Sequence, residues 1–283
     1  MKLFFHCVFF LASLTAAAQK ESGTLIVLNA SQNEIVVAAD SRSLSEVAQF
    51  DNRCKITALG NQLIFAASGD TGYGPTDGRS LYWDAHTIAQ MIFLRLYREK
   101  TAKPMPVRLA ETWGKEVKSK LKSDLKRDKQ GTLYGVEDNT LTSALFAGFY
   151  DGSPFIITGA ITYSISPNGV VATSFSITNI FRRPQAVFLG REDIANELFT
   201  GKTPRSVQWR QSVAMMTTPS DDAIALPAIE AIRFSIEHYP LKNIGGELLP
   251  PIGGPIDAVR LTQAKGVEWI QRKESCQLPH ATE

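Results

Sequence analysis

The sequence predicts an α+β fold in four layers, αββα: two stacked β-sheets with helices packed outside them. Three observations point there. Two early hairpins are almost continuously apolar, so their strands are covered on both faces rather than on one. Two helical patterns then follow in succession, which separates helices from strands as an α+β order requires. A second block of strands, a second block of helices and a closing hairpin complete the chain, with no internal repeat or low-complexity segment.

Thr24 to Leu28 is β-branched and apolar, Asn29 to Asn33 reads as a turn, and Glu34 to Ala39 is apolar again, so the first pair is a hairpin. Cys54 to Leu59 and Gln62 to Ala67 flank the turn signal Gly60-Asn61 and form a second. After a Gly-rich loop from Gly69 to Gly78, expected to be a flexible rim, the period changes. Leu81, Trp83, Ile88, Met91, Ile92 and Leu96 approximate one helical stripe. Pro104 and Pro106 break the chain, and Val107 to Leu125 carries Leu109, Trp113 and Val117 on one side of a second helix. Lys115 to Lys129 is locally basic, with the spacing of a solvated helix face.

Strand-like runs resume at Leu141 to Tyr150, Phe155 to Tyr163, Val170 to Ile177 and Ala186 to Leu189. Helical patterns return at Glu192 to Phe199, Arg205 to Met215 and Ser220 to His238. Ile256 to Leu261 and Val267 to Gln271 close the chain around a Gln-Ala-Lys-Gly turn.

The first residues, MKLFFHCVFFLASLTAAAQK, have a positive residue, a short apolar run and a small-residue cleavage pattern. They are expected to be a signal peptide over 1–18, leaving a short leader over 19–23, a domain over 24–272 and a polar tail over 273–283. The protein is then exported, to the periplasm or the cell exterior. A net charge of +2 without a basic tract gives no electrostatic case for nucleic acid or membrane, and no later segment reads as an anchor. Cys54 and Cys276 could pair in an oxidising compartment, but their separation says nothing about proximity. Asn29-Ala30-Ser31 fits a glycosylation sequon at the expected turn. No G-x-S-x-G, no zinc-type Cys/His spacing and no phosphate-loop lysine appears, so no metal and no cofactor is called for.

Gly23-Thr24 and Ala38-Ala39-Asp40-Ser41-Arg42 resemble the Gly-Thr junction and strand-end signature of proteasome β-type subunits, which are N-terminal nucleophile (Ntn) hydrolases. The spacing from Thr24 to Asp40 matches that family without a gap, and Lys55 lies one residue before the family's catalytic lysine. From Lys55 the register to Ala67-Ser68-Gly69 matches again, which puts Gly69 at the position of an oxyanion donor. Gly253-Gly254 and Ile256 to Val259 resemble the family's terminal strand. The resemblance is specific over Gly23 to Gly69 and topological beyond it.

It implies a threonine-type amidohydrolase, a peptidase first of all, that matures by cleavage before Thr24. Thr24, Asp40 and Lys55 are the catalytic candidates, Gly69 the oxyanion donor and Arg42 the structural support. A terminal threonine carries its own base, an α-amine with a pKa near ~8. A lysine beside it lowers that value, and a carboxylate holds the lysine where an unpaired charge would be costly. The chain departs from the family near Gly253 and at Leu189-Gly190-Arg191, where an aspartate and serines are expected and are missing. A catalytically silent binding or assembly module is therefore the second expectation. The implied partner is a peptide or small amide, and assembly with copies of itself stays open.

Overall fold

The computed structural model describes residues 24–44, 49–51, 53–73, 83–99, 104–127, 139–181, 185–216, 224–239, 241–242, 248–249 and 252–276. The expected signal peptide and leader, the rim from residue 74 and the last residues of the tail lie outside them.

The chain is mixed α+β, with two five-stranded antiparallel sheets and five α-helices among the described residues. Sheet 1 is built from β1 (Leu25–Ala30), β2 (Glu34–Ala39), β8 (Gln185–Gly190), β9 (Asp257–Thr262) and β10 (Gly266–Gln271), in the order β8-β1-β2-β9-β10. Sheet 2 is built from β3 (Ile56–Leu59), β4 (Leu63–Gly69), β5 (Thr140–Tyr150), β6 (Ser153–Ile165) and β7 (Val171–Phe181), in the order β7-β6-β5-β4-β3. The helices are α1 (Ala85–Tyr97), α2 (Met105–Arg127), α3 (Glu192–Thr200), α4 (Pro204–Met216) and α5 (Ala225–His238).

The nearly continuous apolar character of β1 and β2 has a direct cause: both are interior strands with both faces covered. Ile26, Leu28, Ile35 and Val37 share one apolar cluster with Ile64, Ala66, Leu145 and Ile156 of sheet 2. The alternate residues Leu25, Val27, Val36 and Ala38 share another with Ile194, Leu198 and Ile232 of α3 and α5. A third joins Phe65, Phe146 and Ile157 of sheet 2 to Ile92 of α1 and Leu109, Trp113 and Val117 of α2. Each such aliphatic or aromatic side chain withdrawn from water contributes about 1.5–3 kcal/mol.

Two local readings change. The first helix starts at Ala85, because the Asp84 carboxylate accepts the Thr87 amide proton at 2.7 Å and caps it. Its buried stripe is then Ile88, Ala89, Ile92, Phe93 and Leu96, and Met91 faces water. Asn29, expected in a turn, lies inside β1, and its side-chain amide donates to the Ile224 carbonyl at 3.2 Å. On α2, Val117, Leu121 and Leu125 are buried while Lys115, Lys120, Lys122 and Lys126 face water, with one exception. Asp124 is buried and accepts the Trp83 indole proton at 2.7 Å. Among the described residues no helix is long and apolar enough to cross a membrane.

Candidate active site

Five strand ends carry the candidate residues. Thr24 precedes β1, Asp40 follows β2, Lys55 precedes β3, Gly69 ends β4 and Gly190 ends β8. Asp40 is the centre of the cluster and is fully buried. Its Oδ1 accepts the Leu25 amide proton at 2.9 Å and the Lys55 ammonium at 2.8 Å. Its Oδ2 accepts the amides of Arg42 and Gly253, each at 3.1 Å. Four donors on one carboxylate satisfy it almost completely, as a buried charge demands.

Lys55 is 6 % exposed and donates also to the Arg42 carbonyl, at 2.5 Å. Burial pushes the Asp40 carboxyl up, against the pull of Lys55 and of the Leu25 and Gly253 amides. Burial pushes the Lys55 ammonium down, with Asp40 opposing and the positive charges of Lys273 and Arg42 adding to the fall.

Arg42 supports this pair rather than joining it. Its guanidinium grips Asp51 through two bonds, Nε to Oδ1 at 2.7 Å and Nη2 to Oδ2 at 2.8 Å. Its backbone amide and that of Ser41 both donate to the Gly253 carbonyl at 2.9 Å. The Asp40–Arg42 turn is thereby tied to the Gly253 segment from both sides.

Thr24 is 7 % exposed, one residue from the amide that Asp40 holds. Its carbonyl accepts the Arg191 amide at 2.8 Å, and Gly190, at φ +83°, packs so tightly below it that a Cβ there would stand 1.9 Å from the Thr24 carbonyl oxygen. A glycine is needed at 190 for both reasons. Gly69 also has φ +83° and pairs with Thr142 on β5. The structure thus brings Thr24, Asp40, Lys55 and Arg42 together, with Gly69 at a strand end of the neighbouring sheet.

A second buried ion pair lies at the start of β9. Asp257, at the start of β9, is buried and pairs with Lys273 at 2.6 Å, while the Lys273 amide donates to the same carboxylate at 2.8 Å. Lys273 was expected to begin a polar tail; it is buried instead, and the chain stays anchored to Cys276. The reason is a disulfide between Cys54 and Cys276, with Cα atoms 5.5 Å apart, whose formation the sequence left open. Cys54 beside Lys55, and Cys276 three residues beyond Lys273, was the signal available in the sequence for this second pair.

A cleft of about 480 Å³ opens between the edge strand β8 and sheet 2. Ser143, Thr158 and Ser176 line one wall, Val187 and Leu189 the other, and Glu192 the rim. Leu189 pairs with Ile26, so the cleft runs close to the Thr24 end of β1.

The chain matches no model of a known protein family and no curated protein sequence. The resemblance to proteasome subunits therefore rests on the spacing of Thr24, Asp40, Lys55 and Gly69 in the sequence alone.

Proposed function

We propose that this chain is an exported threonine-type amidohydrolase, a peptidase first of all, built as a four-layer Ntn-type sandwich that acts through Thr24 once the bond Gly23–Thr24 is cut. The observation that carries the reading is the buried Asp40–Lys55 pair, held against the residue that follows Thr24 by the shared oxygen at 2.9 and 2.8 Å. A buried ion pair usually gives less stability than an apolar one, so keeping it against the backbone of the residue after Thr24 favours a chemical role. The three separate apolar clusters support the layered arrangement. The disulfide suits an oxidising compartment.

In this reading the neutral α-amine of Thr24 takes the Oγ proton as the oxygen bonds to the carbonyl carbon of a peptide or small amide. Lys55 keeps the amine unprotonated through its charge, and Asp40 keeps Lys55 in place. The oxyanion collects at the Gly69 amide, a donation worth ~3 kcal/mol. Collapse breaks the C–N bond, and the leaving amine carries off the proton. Water, activated by the same amine, then releases the acyl group from Thr24.

A silent binding or assembly module is the second reading, favoured by the low exposure of Thr24 at 7 %. A nucleophile needs room for a carbonyl carbon at roughly 3–3.5 Å. Intact-mass and N-terminal analysis, with a peptide epoxyketone as covalent probe, separates the two. The expected result is a mature chain starting at Thr24 that takes one adduct there, lost in Thr24→Ala. A chain that retains residues 19–23 and takes no adduct sinks the proposal.

A further inference from the structure

We propose that Lys273 is a positioning residue for the Asp40–Lys55 pair, and that the Cys54–Cys276 bridge is the lock that keeps it there. The proposal rests on the reading of Thr24 as nucleophile and extends its site to the far end of the chain.

Lys273 touches both segments that deliver the pair. Its ammonium donates to the Ser41 hydroxyl, next to Asp40, and to the Arg53 carbonyl at 2.6 Å, two residues before Lys55. Its third partner is Asp257 at 2.6 Å, which stands at the head of β9, directly across from Ala39. The Ser41 hydroxyl in turn donates to the Pro255 carbonyl. Three donors of one ammonium are thus spent on three segments: the end of β2, the entry to β3 and the start of β9.

A lysine on a chain end would not hold that geometry unaided. The disulfide joins Cys54, the neighbour of Lys55, to Cys276, whose amide donates to the Lys273 carbonyl at 3.1 Å. The bridge therefore fixes Lys273 relative to Lys55 itself. Lys273 also contributes positive charge: it pushes Lys55 down, and its own ammonium is lowered by burial, with Asp257 and Asp40 opposing. The charged or titratable groups facing Lys55 and Lys273 are Asp40, Arg42, His86 and Asp257.

The test compares the mature wild type with Lys273→Met, Lys273→Arg and the double variant Cys54→Ser/Cys276→Ser. The first readout is the rate of epoxyketone labelling at Thr24 across pH. In Lys273→Met the rising limb is expected to move alkaline by about half to one pH unit, since a positive neighbour of Lys55 is gone. Labelling at pH 7 is expected to slow about three- to tenfold. Lys273→Arg restores the limb, and the double serine variant reproduces the shift of Lys273→Met. The second readout is amide exchange at Leu25, Ser41 and Gly253, which needs no reaction. It is expected to accelerate in Lys273→Met and in the double variant, and to stay slow in Lys273→Arg.

An unmoved pH limb together with unmoved exchange overturns the proposal. An arginine variant as impaired as the methionine one also overturns it. If the wild type takes no label while exchange accelerates as described, the nucleophile reading fails and the coupling of Lys273 to Asp40 stands.

Discussion

Asp40 and Lys55 are linked but not equivalent. Burial raises the carboxyl of Asp40, so its favourable contribution to folding is present below the unfolded value of ~3.9 and is lost as pH rises through the higher folded value. Burial lowers the ammonium of Lys55, so its contribution is present above the unfolded value of ~10.4 and is lost as pH falls through the lower folded value. Across neutral pH both charges therefore weigh against stability. Apolar replacement of the whole pair would often be harmless. It is not harmless here, because Asp40 also satisfies the amides of Leu25 and Gly253. Lys55→Met leaves those bonds in place and is expected to cost about 1–3 kcal/mol. Asp40→Leu removes the shared acceptor of three amides and an ammonium and is expected to cost about 3–5 kcal/mol. Urea unfolding of both variants checks the order, and the reverse order would mean that the lysine, not the carboxylate, is the keystone of the cluster.

At the scale of the element, α3 shows how a helix start is tied to the site. Its first turn carries Glu192 and Asp193, and the amide of Arg191 reaches back to the Thr24 carbonyl. Negative charge there opposes the positive end of the helix. Arg191 grips Asp193 through Nε and Nη2 at 2.9 and 2.7 Å and holds its carboxyl below the usual carboxylate range. Asp193 is mostly exposed, so after solvent screening Asp193→Asn is expected to cost under ~1 kcal/mol at pH 7. The sign follows from the lowered value: the contribution is present above the unfolded ~3.9 and lost as pH falls through the folded one. Thermal melts from pH 7 to pH 3 should show the variant and the wild type converging at the acid end.

Element order was legible in the sequence because periodicity is local. The strands and helices lie where their apolar patterns put them, displaced by a few residues at most. The exceptions have physical causes. Asp84 capped a helix later than the stripe suggested, and Asn29 lies in a strand, where its side chain donates to a carbonyl just before a helix far along the chain. Asp40 and Lys55 were legible because two charges beside apolar strands must find each other. Lys273, Asp257 and the bridge were not, because what brings them to Asp40 is tertiary and spans a sequence separation of 222.

At the scale of the whole molecule, that separation makes the bridge a constraint on nearly every element. Closing so long a loop removes much of the freedom of the unfolded chain, and the chain-entropy account places the gain at the top of the usual range, about 5 kcal/mol. Cys54→Ser/Cys276→Ser is expected to lower the unfolding free energy by about 2–5 kcal/mol. Guanidinium unfolding of the double variant beside the oxidised wild type measures it, and a difference near zero would mean that the folded ends are held by Lys273 and Asp257 alone.

The same bridge has a mechanical meaning. Because Cys54 and Cys276 flank β3 through β10 and the five described helices, tension applied to segments outside the two cysteines runs through the bridge and not along the enclosed backbone. Only β1, β2 and their flanks can be drawn out while the link is intact. A contour of roughly 3.3–3.6 Å for each of the enclosed residues stays hidden from the pull. An unfolding machine that threads polypeptides from one end would meet a closed ring, not a strand, as soon as it passed the first hairpin.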